Sequence, residues 1–340
     1  MEQMLSYNDI SIAPSVLSEI THRYECNPFI FDNLPIFTAP MSCVVSESNF
    51  CKYTSNHIIP IMPRNVKYES RLAYLKAGYW VAFSLTEFKE FVNHPLLNFS
   101  LYVCKICIDV ANGHMESLYD SVKAFKERYP TSVIMVGNIA NPQTIQCAEE
   151  AGANYIRIGI GGGNGCITSS NTGIHYPIAS LIDECKTLIL RNNYRIKIIA
   201  DGGIRGYADV IKALALGADY VMIGSLFGQC EDLHETFYIK CSNQYYPKDK
   251  SSYNIKHLYS KFYGMASSAG QEDLYGNKKH TAEGIVKYIP ITTTLPKWSE
   301  NMKEYLQSAM SYCNAKTLDE FYENSKIIHI SNNTYNTINK

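Results

Sequence analysis

Ile196-Lys197-Ile198-Ile199-Ala200-Asp201-Gly202-Gly203 precedes an amphipathic stretch over 207–216 and then Tyr220-Val221-Met222-Ile223-Gly224-Ser225, which together read as strand, helix, strand. Each apolar run stops at glycine, the pattern of a strand covered on both faces. Working outward, similar runs recur at 35–39, 58–62, 80–83, 106–110, 133–137 and 155–159, giving eight candidate strands. Helix-period stretches at 115–128, 141–151 and 178–191 lie between strands, the spacing of βα units around a parallel sheet. Eight such units predict a single-domain α/β fold, the (β/α)8 TIM barrel. A doubly wound open sheet is the alternative, but its G-x-G-x-x-G after the first strand is missing.

In a barrel the chemistry sits at the C-terminal ends of the strands, and phosphate is commonly held after strands seven and eight. Strand seven ends in Asp201-Gly202-Gly203 and strand eight in Gly224-Ser225, which offer backbone N–H groups and a hydroxyl. Asp201 is suited to accept hydrogen bonds from ribose hydroxyls, or equally to cap the following helix. Strand four ends in Asp109, followed by Val110-Ala111-Asn112-Gly113-His114. Strand six leads into Gly161-Gly162-Gly163-Asn164-Gly165-Cys166-Ile167-Thr168, where four glycines in five positions permit positive φ at an entropic cost. A thiol on such a loop is either a reactive group or a cysteine packed in a turn.

Composition narrows the partners. Lys+Arg number 31 and Asp+Glu 32, a net charge of -1 over 340 residues, so no electrostatic footprint for nucleic acid or an anionic membrane is present. The expected ligand is small. Eleven cysteines stand singly, as expected for reduced thiols in a cytoplasmic setting. Cys104 and Cys107 fall within an apolar run, which favours strand packing over zinc. The N-terminus shows no leader pattern and no window reaches membrane-spanning length, so a soluble, unprocessed protein is expected.

The Cys166 loop, Ala200-Asp201-Gly202-Gly203-Ile204-Arg205 with Met222-Ile223-Gly224-Ser225-Leu226, and Tyr263-Gly264-Met265-Ala266-Ser267-Ser268 together resemble the IMP dehydrogenase and GMP reductase family of purine nucleotide oxidoreductases. The resemblance runs from about Ser6 to about residue 320. It implies a catalytic barrel over 1–325 with a mobile flap at about 265–290, a polar tail at 326–340, and no regulatory CBS insertion. It also implies attack of the cysteine on purine C2 and a covalent thioimidate, with hydride exchanged with a nicotinamide. A dehydrogenase hydrolyses that intermediate with an Arg-Tyr pair on the flap. This flap carries Tyr275, but no arginine lies between Met265 and Glu283.

The segments 109–113, 172–177 and Ala282-Glu283-Gly284 resemble the reductase branch. The activity implied is NADPH-dependent reductive deamination of GMP to IMP and ammonia; the alternative is an IMP dehydrogenase without its regulatory domain, oxidising IMP to XMP with NAD. An FMN-dependent barrel oxidoreductase and a catalytically silent, nucleotide-binding barrel are further readings.

On the reductase reading Cys166, Thr168 and Glu283 are catalytic, although a threonine and a glutamate in such places also serve as a helix cap and a solvated loop charge. The nucleotide is expected at Met41, Asn164, Asp201, Gly202, Gly203, Gly224, Ser225, Gly264, Met265, Ala266, His280 and Gly284. The cofactor is expected at Arg23, Arg64, Asp109, Val110, Ala111, Ile160 and Gly161, and the carbonyls of Gly161, Gly163 and Cys166 could hold K+. His22-Arg23 resembles the pair that meets the extra phosphate of NADPH. The segment 311–316 resembles a stretch reaching the cofactor across a subunit boundary, which implies a homotetramer.

Several positions depart from the family pattern. Asn164 stands for a serine, Gly165 precedes the cysteine, Ser42 stands for an aspartate, Arg64 for a lysine and His280 for an arginine, so the purine preference is left open. Cys166→Ala or Cys166→Ser is expected to abolish turnover and leave nucleotide binding largely intact. Unchanged steady-state activity would remove the thiol from the chemistry.

Overall fold

The computed structural model describes residues 3–93, 103–242, 244–248, 257–277 and 280–338; residues 278–279 of the flap and 339–340 of the tail lie outside them. After β1 (Ile10–Ala13), the strands β2 (Ile36–Thr38), β3 (Ile61–Met62), β4 (Trp80–Phe83), β5 (Lys105–Ile108), β6 (Val133–Ile139), β7 (Tyr155–Ile158), β8 (Lys197–Asp201) and β9 (Tyr220–Ile223) follow in order. From β2 to β9 they make one parallel sheet ordered β2-β9-β8-β7-β6-β5-β4-β3. The two ends meet through Ile59, whose N–H donates to Ile36 O at 3.0 Å and whose carbonyl accepts from Thr38 N–H at 3.0 Å. The sheet therefore closes as a (β/α)8 barrel, and each of the eight apolar runs supplies one strand.

Side chains alternate across each strand, which separates two cores. Outward residues such as Val81, Ile106, Ile156, Ile198 and Val221 pack beneath the helices. The helix Ile178–Asn192 buries Ile178, Leu181, Ile182, Cys185 and Ile189, a stripe at helical spacing, and stops at Asn193 with φ +54°. Inward residues fill the barrel. Trp80, Tyr155 and Tyr220 begin their strands and meet Phe37, with Phe37–Trp80 centroids at 5.5 Å and Phe37–Tyr220 at 5.1 Å. Ala82, Cys107, Met135, Ile199 and Met222 complete this inner cluster.

Two further sheets flank the barrel. β10 (Phe237–Cys241), β11 (Gln244–Lys248), β12 (Leu258–Tyr263) and β13 (Val286–Pro290) form an antiparallel sheet ordered β11-β10-β12-β13, and the flap connects its last two strands. β14 (Lys326–His329) pairs antiparallel with β1, matching Ile10 to His329. The polar segment set apart in the sequence thus contributes a strand, followed by the helix Asn332–Ile338. Among the described residues no helix is long and apolar enough to cross a membrane.

Phe37 links three rings at the barrel centre. Phe37→Ala should cost about 3–5 kcal/mol of unfolding free energy, read as a lower denaturant midpoint. A loss below about 1 kcal/mol would show that the ring cluster is not a main support of the barrel.

Candidate active site

Past Ile158 the chain turns through Gly159, at φ +119°, and Gly161, at φ +76°, to reach the cysteine. A Cβ on Gly161 would collide with Ser169 Oγ. Cys166 N–H donates to Gly163 O at 3.0 Å. The half-buried thiol donates to Thr168 Oγ1 at 3.2 Å, and the Thr168 hydroxyl donates to Glu283 Oε2 at 2.8 Å. Glu283 comes from the flap, 115 residues away along the chain from Thr168.

Backbone pairing holds the two segments together: Ile167 N–H donates to Glu283 O at 2.9 Å, and Ile285 N–H donates to Gly165 O at 2.9 Å. A Cβ on Gly165 would stand 3.1 Å from Gly264 N and 3.2 Å from the Phe262 ring, so a larger residue before Cys166 would press the flap away. That contact gives a physical reason for Gly165.

Below the cysteine lies a layer of buried charge. Arg157 is two residues beyond the inward-facing Tyr155, so it also points into the barrel, where it is 6% exposed. Its Nη1 donates to Asp109 Oδ1 at 2.8 Å and its Nη2 to Asp201 Oδ2 at 3.0 Å. Arg64 Nε stands 3.3 Å from Asp109 Oδ2, and Asn138 Nδ2 donates to Asp201 Oδ2 at 2.8 Å. Burial pushes the Asp109 carboxyl up, but the Arg157 and Arg64 guanidiniums outweigh it and hold the group below the usual aspartate range. Burial opposes charge on Arg157 as well, and the two carboxylates overcome it and raise its pKa.

Two cavities meet at the Cys166 loop. The larger, about 570 Å3, is lined by Cys166, Glu283, Met41, Asn164 and Asp201. Gly264, Met265, Ala266 and His280 face it from the flap side, and Arg64, Asp109, Val110 and Ala111 from the strand ends. The second, about 420 Å3, is lined by Ile160, Gly161, Gly162, Gly163, Gly202 and Gly203, together with Arg205 and Lys287. Cys166, Asn164, Gly163 and Asp201 border both.

Other expected residues sit differently. Gly284 bridges to Cys166 through the backbone. Gly224 lies behind Met41 and Phe262, where a Cβ would be 3.5 Å from each, and Ser225 opens a 3-10 turn; neither lines either of these two cavities. The Gly203 N–H, expected to be open to a ligand, donates to Gly162 O at 2.8 Å. Arg23 is away from both cavities and pairs with Glu304 at 3.0 Å. Its neighbourhood joins the 311–316 segment through Ser15 N–H to Tyr312 O (2.9 Å) and Asn27 N–H to Lys316 O (2.8 Å). Among the described residues no cluster of His, Cys, Asp or Glu suits a metal, so a cation at the cysteine loop would rely on the carbonyls of Gly161, Gly163 and Cys166.

Sequence reading missed Arg157, Asn138 and Gln271. Arg157 carried a signal, a lone cation in an apolar strand two residues after an aromatic. Gln271 is 5% exposed, accepts from His280 N–H at 2.8 Å and donates to Ala266 O at 3.2 Å, so it ties the flap to itself. Nothing in its sequence context marks it.

Because the Asp109 carboxyl is held low in the folded state, its stabilising contribution is complete above about pH 4 and fades as pH falls toward the native value. The destabilisation caused by Asp109→Asn should therefore be constant from about pH 8 to about pH 5 and shrink below about pH 4 in denaturant titrations. A destabilisation that grows on acidification would contradict the Asp109–Arg157 account.

Comparison with known proteins agrees with this architecture. The family model for the IMP dehydrogenase / GMP reductase domain matches residues 94–338. A GMP reductase of Shouchella clausii is 29% identical over 99% of this chain and 98% of its own length. One from Clostridium acetobutylicum is 30% identical over 94% of each. An inosine-5'-monophosphate dehydrogenase of Halalkalibacterium halodurans is 32% identical over 66% of this chain but only 45% of its own length, so the chain spans less than half of that relative. The chain belongs to the IMP dehydrogenase / GMP reductase family of purine nucleotide oxidoreductases.

Proposed function

We propose that this protein is a GMP reductase, converting GMP, NADPH and two protons to IMP, NADP+ and ammonium. The observation that carries the reading is the hydrogen-bonded chain from the Cys166 thiol through Thr168 to Glu283. It leads from a thiol that must lose a proton to a carboxylate able to take it. The thiolate forms a bond to purine C2, and the C2–N bond breaks as the amine departs. Ammonia is a poor leaving group without a proton, and Glu283 returns one along Thr168. NADPH, when bound, would supply the hydride that C2 needs, and cleavage of the C–S bond would then regenerate the Cys166 thiolate.

The neighbouring residues fit binding roles around that chemistry. Asp201, fixed by Arg157 and Asn138, presents its carboxylate edge where ribose hydroxyls can donate. The larger cavity falls in the size range of small-molecule sites, about 300–1,000 Å3, and its strand-end wall, Arg64 with Asp109, Val110 and Ala111, is placed to hold a nicotinamide beside Cys166. Ile160 and Gly161, expected beside the cofactor, line the second cavity instead. The joined arm and 311–316 segment suit a contribution from a neighbouring copy in a homotetramer, with Arg23 meeting the cofactor's extra phosphate. A monovalent cation would be held by carbonyls of Gly161, Gly163 and Cys166.

Two observations favour the reductase over the dehydrogenase reading. No arginine lies between Met265 and Glu283 to activate water, and the similarity to GMP reductases runs nearly end to end. Purified protein should oxidise NADPH when given GMP and should not reduce NAD when given IMP; the opposite pattern would establish the dehydrogenase. Glu283→Gln keeps a partner for Thr168 but no proton acceptor, so kcat should fall about 100-fold or more.

A further inference from the structure

We infer that Lys287 is the charge anchor for the phosphate of the bound nucleotide, a role that rests on the nucleotide reading above. Lys287 stands directly opposite Phe262 in the antiparallel β12–β13 pair, and opposed residues put their side chains on one face. The Phe262 ring marks where that face looks: a Cβ on Gly165 or Gly224 would lie 3.2 and 3.5 Å from its atoms, so the face meets the cysteine loop and the end of β9. Tyr288, the next residue along β13, turns the other way and stacks on Tyr245 at 4.0 Å. Lys287 Nζ accordingly reaches into the cysteine loop and donates to Asn164 Oδ1 at 2.6 Å.

The ammonium is positioned without being neutralised. Among the described residues it meets no carboxylate, and its partner is a neutral amide. A lysine carries three donors, so two remain after Asn164 is served. The side chain lines the second cavity, which glycine backbone at Gly202 and Gly203 also borders. Arg205 adds a second cation to that lining, while the lining carboxylate, Asp201, is already matched by Arg157. Two cations lining one cavity, with no unmatched carboxylate beside them, recognise a phosphate monoester, and Phe262 has no polar atom with which to do so. Asn164 then acts as the support that aims Lys287.

The test uses the full chain, with protection of Cys166 from alkylation as the readout, so no turnover is needed. In the wild type GMP should protect at far lower concentration than guanosine. Lys287→Met should weaken protection by GMP and by inorganic phosphate about tenfold or more, leave protection by guanosine unchanged, and so narrow the gap between them. Lys287→Arg should restore most of the difference. Equal losses for GMP and guanosine, or no loss for either, would overturn the inference. Loss of phosphate protection in a protein inactive with GMP would keep the anchor and discard the reductase reading; normal GMP turnover with an unchanged KM in Lys287→Met would do the reverse.

Discussion

Arg157, buried inside the barrel between Asp109 and Asp201, is the interaction on which the site depends. A guanidinium in that position is sustained only by partners in good geometry, since an unpaired buried charge costs several kcal/mol. Arg64 and Asn138 complete the set, so two cations face two carboxylates with a neutral donor on the second. The result ties the ends of β5, β7 and β8 to one another. Those ends launch the segments that carry Asp109–Ala111, the cysteine loop and Gly202–Gly203, and the chemistry inherits its spacing from the charge layer beneath it.

A second constraint acts from above. The cysteine loop is completed by the flap, which pairs with it through backbone hydrogen bonds at Ile167 and Ile285 and delivers Glu283 to Thr168. Gly165 and Gly264 allow the two backbones to pass at van der Waals distance. The proton path from Cys166 is thus assembled from two parts of the chain, and any displacement of the flap breaks it between Thr168 and Glu283. Gln271, hydrogen-bonded to both Ala266 and His280, resists that displacement from within the flap.

Much of this was legible in the sequence for local reasons. The eight barrel strands are short apolar runs, the later ones closed by glycine or aspartate, and each is a parallel strand. The cysteine loop announced itself through its glycines. What stayed hidden depends on partners far away in the chain. Arg157 reads as a strand cation until closure of the barrel decides which face is interior. The β12–β13 pairing that aims Lys287, and the pairing of β1 with β14, join segments whose register no local pattern sets. The Gly203 N–H, legible as an open donor, is engaged by Gly162 because two glycine turns lie against each other, a contact that only folding creates.

The central claim is that Cys166 is the nucleophile that holds purine C2. The most direct measurement is peptide mapping by mass spectrometry after the protein is mixed with GMP and NADP+, which cannot deliver a hydride, and quenched in acid. The account predicts a nucleotide attached to the Cys166 peptide with the 2-amino nitrogen lost. An unmodified Cys166 peptide in protein that turns over GMP with NADPH, or the adduct on a different cysteine, would contradict it.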